Sequence, residues 1–260
     1  MMKLAVWQGA GVPDDLDITV AEVARVAEMA AGQGADLLVF PEGFLTGYHI
    51  PGLTAGDLPG VEDALAEIGR IAARTRLTLV MGTHLDAPEG LRNAAVVFSA
   101  DGAELGRYHK RALFGGWEQA TFRPGAGTLR FDCGGLRVGV AICYDVEFPE
   151  LIRAEAQAGC DLVVVPTALM APHDRIARQV VPVRAMENQI FVAYANRSGH
   201  EPGLDFVGLS CICGPEGEIL TRAGEGAELL LAKIDRATIT RARAEACYVD
   251  DLRSVEEAGR

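Results

Sequence analysis

The chain has 260 residues, and 36 acidic against 24 basic side chains leave a net charge of −12. That balance argues against a nucleic-acid binder, since no basic run is present to neutralise phosphates. Hydrophobic residues make up 49%, too many for disorder, while the longest nearly apolar stretch, residues 162–172, carries two prolines and is too short to span a bilayer.

In chain order, residues 4–7 read as a strand, and the acidic segment after it argues against a signal peptide. Asp17 reads as the cap of a helix with apolar residues at Ile18, Val26 and Met29, ending near Gly32 and Gly34. The continuous apolar run 36–40 predicts a buried strand. Val61, Leu65, Ile68 and Ala72 mark one face of a second helix. Strands follow at 77–81, 94–99 and 103–108, with Asp101-Gly102 as the turn between the last two. Residues 114–127 read as a Gly/Pro-rich loop. Strands return at 128–132 and 138–143, then a helix at 147–158 and a strand at 162–165. A helix over 175–188 should be kinked or divided at Pro182. Strands at 190–195, 206–213, 218–222 and 228–234 run in meander order, before a short helix at 235–246 and an acidic tail. No low-complexity linker interrupts the chain, which predicts one domain over residues 1–260.

An internal echo sharpens the architecture. Residues 34–41 (G-A-D-L-L-V-F-P) align with residues 159–166 (G-C-D-L-V-V-V-P) at an offset of 125. Each copy follows a helix and ends its strand at a proline. This predicts two similar β-α-β halves, packed sheet against sheet with helices outside.

Chemistry is expected where such strands end. Glu42 directly follows the first echoed strand, and is either a solvated loop residue or a positioned acid. Cys143 closes the run 138–142; it is an inert core thiol unless its surroundings activate it and open it to a ligand. Lys110 leaves the strand before it, a place where a lysine is ordinarily solvated. A Cys-His pair would need His49, His84, His109, His173 or His200, of which His109 alternates away from Lys110 and His173 could line a pocket. No His/Cys group has zinc-ligand spacing, and the 30 glycines form no G-x-G-x-x-G or phosphate loop, so no metal and no cofactor are expected. Six cysteines without a C-x-x-C pair read as the thiols of a cytoplasmic protein.

Taken together, Pro41-Glu42, Tyr108-His109-Lys110 and Ile142-Cys143-Tyr144-Asp145 resemble the three signatures of the nitrilase superfamily of carbon–nitrogen hydrolases. The longer strings E-G-F-L-T-G-Y (42–48), C-Y-D-V-E-F-P-E (143–150) and R-A-M-E-N-Q (184–189) strengthen the likeness, which runs from Leu4 to about Leu252. Arg111-Ala112 departs from the family's commonest pairing after the lysine. The resemblance implies an α/β fold, a four-layer αββα sandwich. It implies Glu42 as general base, Lys110 as cationic stabiliser, Cys143 as nucleophile and Glu118 as a supporting acid. Within the superfamily the chain is most similar to short amidases of the 5-aminopentanamidase type. An N-carbamoyl amine hydrolase, a nitrilase and a catalytically silent binding protein are the alternatives.

Around that triad Tyr48, Tyr144, Thr167 and Ala168 are expected to line the acyl pocket. Asp174 is either the partner of a substrate ammonium or only the cap of the next helix. A homodimer is expected through Phe148, Leu151 and Ile152 after the cysteine and through Tyr248, Val249 and Leu252 in the tail.

Overall fold

The computed structural model describes residues 1–12 and 15–258. The first half runs β1 (Met2–Gln8), α1 (Leu16–Gly32), β2 (Leu37–Val39), α2 (Val61–Thr75), β3 (Thr78–Leu85), β4 (Arg92–Phe98), β5 (Glu104–His109) and α3 (Gly115–Thr121). The second half opens with β6 (Arg130–Cys133), β7 (Leu136–Val140), α4 (Pro149–Gln157), β8 (Leu162–Thr167), α5 (Val181–Asn188) and β9 (Phe191–Asn196). It continues with β10 (Ser198–Glu201), β11 (Leu204–Val207), β12 (Cys211–Cys213), β13 (Ile219–Arg222) and β14 (Glu228–Ile234). Two helices, α6 (Arg236–Ala242) and α7 (Tyr248–Ala258), follow.

Two six-stranded sheets result, in the orders β14-β1-β2-β3-β4-β5 and β13-β12-β9-β8-β7-β6. In the first, β1, β2 and β3 are parallel and their flanking neighbours antiparallel. In the second, β7, β8 and β9 repeat that arrangement. The 125-residue echo is therefore a structural one: β2 corresponds to β8, and the two sheets are topological copies.

The sheets meet through Leu4, Val6, Val39 and Val80 on one side and Val138, Leu162, Val164 and Ala193 on the other. The alternate residues of the same strands face outward. Leu38, Phe40 and Leu79 receive Val23, Val26, Leu65 and Ile68 from α1 and α2. Val163, Val165 and Val192 receive Ile152, Ala156, Val181 and Ala185 from α4 and α5. Parallel strands buried on both faces must be apolar throughout, which explains their unbroken hydrophobic runs. The layers are αββα.

Several boundaries differ from expectation. Asp15, not Asp17, caps α1, accepting the Ile18 N–H at 2.9 Å. The buried stripe is Thr19, Val23, Val26, Ala27 and Ala30, which leaves Ile18 and Met29 on the solvent side. The run 206–213 is two strands, because Gly208 and Leu209 both take positive φ (62° and 59°) and break the extended chain. β11 pairs with β10 as a separate hairpin and makes one further antiparallel bridge, Phe206 to Met170. The helix over 175–188 divides as expected: a wide π turn, Ile176–Val180, precedes α5, with Pro182 in its first turn where no N–H is needed. The acidic tail is helical as α7. Ile152 and Val249 are buried within their own chain, so of the expected dimer patch Phe148 and Tyr248 are the large exposed groups. No helix among the described residues is long and apolar enough to cross a membrane.

Candidate active site

The parallel strands of both sheets end on the same side of the sandwich, and the Glu42 N–H reaches the Thr167 carbonyl across the sheets at 3.4 Å. Glu42 follows β2. Its backbone can lie against β3 because residue 82 is glycine; a Cβ there would sit 2.1 Å from the Pro41 carbonyl oxygen. Lys110 follows β5, and its main chain is held by Asn93 and Gly125 at 2.8 Å each.

Cys143 does not close a strand. β7 ends at Val140, and Cys143 begins a 3₁₀ turn, Cys143–Glu147, with φ of 45°. A left-handed conformation costs a non-glycine residue about 1 to 3 kcal/mol and persists only where the surroundings impose it. Asp145 supplies much of that restraint. Its carboxylate accepts the Ile142 N–H (3.0 Å), the Ala112 N–H (2.7 Å), the Arg111 N–H (3.2 Å) and the Tyr108 hydroxyl (2.8 Å). The cysteine turn and the lysine loop are thereby tied together, and the unusual Arg111-Ala112 pair serves through backbone N–H groups that any residues would provide.

Residues 114–127 are not all loop. Gly115 and Gly116 hide a short helix, α3, whose start is held by Glu118 Oε2 accepting the Phe114 N–H at 2.6 Å. That contact turns Glu118 inward, where it is fully buried.

The charged centre follows. Lys110 Nζ lies 2.7 Å from Glu42 Oε1 and 2.7 Å from Glu118 Oε1, with all three side chains out of solvent. Glu118 Oε1 also accepts the Tyr48 hydroxyl at 2.8 Å. Asn93 Nδ2 donates to Glu42 Oε1 at 2.7 Å, while Glu42 Oε2 is buried without a partner. Glu118 is thus fully engaged, and Glu42 keeps one free acceptor oxygen.

Burial raises the proton affinity of Glu42; the Lys110 ammonium opposes this and the Glu118 charge adds to it. Burial pulls Lys110 the other way, yet the surrounding Glu42 and Glu118 charges outweigh it and hold the ammonium charged. The Cys143 thiol is pushed well up by burial and by Glu42, against the help of Lys110 and the Ala168 N–H. The resting sulfur is therefore a neutral thiol, which needs a base to become a nucleophile.

Cys143 opens into a cavity of about 200 Å³ lined by Tyr48, Phe114, Tyr144, Glu147, Ala168, Leu169, Met170 and His173. Of the pocket residues expected from sequence, Tyr48, Tyr144 and Ala168 are there. Thr167 is not: its hydroxyl donates to the Val165 carbonyl at 3.0 Å inside the sheet. Asp174 is not either, because it pairs with Arg178 at 2.9 Å on the surface, facing a different hollow.

One clamp escaped the sequence reading. Arg197, just past β9 and fully buried, donates to the carbonyls of Glu42 (3.2 Å) and Gly43 (2.9 Å) and pairs with Glu201. Glu201 in turn accepts the N–H groups of Tyr48 and His49 at 3.1 and 2.8 Å. The second half thus holds the whole glutamate loop of the first. The only signal was a charged residue directly after an apolar strand, Asn196-Arg197. Replacing Arg197 with leucine should destabilise the fold by about 3 to 5 kcal/mol, since it strands the buried Glu201 carboxylate. Urea unfolding of R197L and of the R197L/E201L pair measures this; the double variant should regain part of the loss.

The arrangement offers a thiol on a small, largely apolar cavity, with a free carboxylate oxygen and a fixed ammonium buried behind it and acting on its charge. A backbone N–H is also near: that of Tyr144 lies in the first turn of a 3₁₀ segment, where donors have no acceptor within the turn. Among the described residues no cluster could hold a metal ion.

Comparison with known proteins gives a consistent picture. The carbon-nitrogen hydrolase family model matches residues 3–244. A nitrilase of Pyrococcus abyssi is 35% identical over 243 residues, covering 90% of this chain and 90% of its own. An (R)-stereoselective amidase of Pseudomonas sp. is 32% identical over 254 residues, with 97% and 92% covered. The crystal structure of an amidase from Nesterenkonia sp. superposes with a TM-score of 0.84 at 35% identity, covering 94% of each chain. Variants of that amidase have been captured with acrylamide added to the active-site cysteine and in complex with butyramide.

Proposed function

The chain belongs to the carbon–nitrogen hydrolase family, the nitrilase superfamily, and from that membership we propose that it hydrolyses small linear amides to carboxylic acid and ammonia through a thioester on Cys143. The observation that carries this reading is the buried Lys110 ammonium shared by Glu42 and Glu118 at 2.7 Å each, with its charge acting on the thiol.

Glu42 takes the thiol proton on its unpartnered oxygen, and the sulfur attacks the amide carbonyl. The developing oxyanion is met by Lys110 and the Tyr144 N–H. Glu42 returns its proton to the departing ammonia, leaving the thioester. It then takes a proton from water, whose oxygen displaces the sulfur as the carboxylic acid forms, and it hands that proton to the departing thiolate, which restores the thiol. Glu118 holds Lys110 and Tyr48 in place throughout.

The cavity suits a short acyl chain, and an ω-amino amide such as 5-aminopentanamide is the specific substrate we propose. The chain's net charge of −12 favours encounter with a cation over an anion. Phe148 and Tyr248 remain exposed and support a homodimer as part of the same proposal. The six free thiols suit a reducing, cytoplasmic setting. Ammonia release from matched amides, nitriles and N-carbamoyl amines tests the reaction class, with amides expected to be turned over fastest. Among amides, kcat/KM for 5-aminopentanamide should exceed that for glutaramate by about tenfold or more. Faster turnover of the nitrile or the carbamoyl amine would replace the amidase reading.

A further inference from the structure

The cavity holds one carboxylate with no assigned duty. Glu147 ends the turn that Cys143 begins, and its side chain lines the same cavity, half-buried. Its main chain is fixed: Arg184 Nε donates to the Val146 carbonyl at 2.8 Å, and Arg184 Nη2 to the Glu147 carbonyl at 2.7 Å. Its carboxylate is not. Among the described residues Glu147 has no side-chain hydrogen bond and no ion pair.

The neighbouring cations are committed elsewhere. Arg184 pairs with Glu187 at 2.9 Å, and Lys110 is held between Glu42 and Glu118. His173 shares the cavity without closing an ion pair to Glu147 among the described residues. Burial raises the proton affinity of Glu147, against weaker opposing effects of His173, Lys110 and Arg184. A half-buried carboxylate without a counter-ion is a group whose charge a ligand can complete.

The rest of the wall is apolar or aromatic: Tyr48, Phe114, Tyr144, Ala168, Leu169 and Met170. At a 3₁₀ rise of about 2 Å per residue, Glu147 lies about 8 Å along the turn from Cys143. A linear acyl chain on the Cys143 sulfur, lying in the cavity, extends along the wall that carries this carboxylate.

We infer that Glu147 is the specificity-determining residue of the cavity: its carboxylate receives the cation at the far end of a linear amide and repels a terminal carboxylate. The inference rests on the amidase reading above. It also moves the acidic recognition group from Asp174, which lies outside the cavity, to a residue four positions past the nucleophile.

The test is the ratio of kcat/KM for 5-aminopentanamide to that for pentanamide, measured in the wild type and in Glu147→Gln. The wild-type ratio should be about ten or more, and it should fall to near one in the variant, while glutaramate gains relative to both. An unchanged ratio in Glu147→Gln overturns the inference. A wild type that releases ammonia from none of the three amides overturns the amidase reading instead, so the two failures are distinct. Should Glu147→Gln be too slow to assay, calorimetric binding of pentylammonium to Cys143→Ala and to Cys143→Ala/Glu147→Gln reads the same contact. A tenfold or greater loss in the double variant supports it, and equal affinities overturn it.

Discussion

Exchanging Cys143 for alanine should lower amide turnover by about four orders of magnitude or more while leaving the fold intact. None of the other five cysteines lines the cavity, and Cys133, Cys160, Cys211 and Cys213 are buried in the layers. No second thiol can therefore take over. Alanine is no larger than cysteine and meets the same left-handed backbone restraint at φ of 45°, so the turn has no reason to rearrange. Ammonia release measures the loss, and intact-mass spectra of acid-quenched mixtures should show an acyl adduct on the wild type alone. Retention of more than about a few per cent of activity would remove the thioester step.

The two glutamates should separate just as clearly. Glu42 has the only unpartnered carboxylate oxygen of the pair, while both oxygens of Glu118 are occupied by Lys110, Tyr48 and the Phe114 N–H. Glu42→Gln should therefore stop acylation, costing about 10³- to 10⁴-fold, because the neutral thiol loses its proton acceptor. Glu118→Gln keeps a group of the same shape but removes one of the two charges on Lys110. Thioester should still form there, with turnover reduced by about ten- to a hundredfold. Trapping the acyl-enzyme by mass spectrometry distinguishes the two, and equal yields would reverse the assignment. The pH profile adds a sign. Glu42 must be deprotonated to act, and its proton affinity is raised by burial. Wild-type kcat/KM should accordingly fall as pH drops through a value above the ordinary glutamate range.

Glu42, Lys110 and Cys143 were legible because each sits directly after a strand or a few residues past one. Glu42 stands just past the apolar run of β2 and Cys143 three residues beyond β7, while Lys110 directly follows the mixed strand β5. The echo between residues 34–41 and 159–166 likewise disclosed the paired sheets, since parallel buried strands allow little variation in residue type. Glu118 was reached only through family likeness. Its helix is masked by Gly115-Gly116, and what organises it is a hydrogen bond back to Phe114 and not helix propensity. The roles of Arg197, Glu201 and Asn93 could not be read because they depend on which loops meet across the two sheets, and a charge after an apolar strand was all that marked Arg197. Asp174 and Glu147 show the same limit from the other side. Both follow strands of the second half, and the direction of a loop side chain is set by local partners, here Arg178 for Asp174. The strand expected over 206–213 broke because two successive positive-φ residues override its apolar pattern.

Asp145 gives the centre a property beyond its geometry. Its one carboxylate bonds to Ile142 on the Cys143 side and to Tyr108, Arg111 and Ala112 on the Lys110 side. Fluctuations that release either segment must break the same set of charge-assisted hydrogen bonds. The two segments therefore share a single opening free energy, and their amides belong to one cooperative unit of hydrogen exchange. Stress that frees the backbone of residues 108–112 therefore also loosens the Cys143 turn, and the reverse holds, so the two sides of the centre come apart and re-form together.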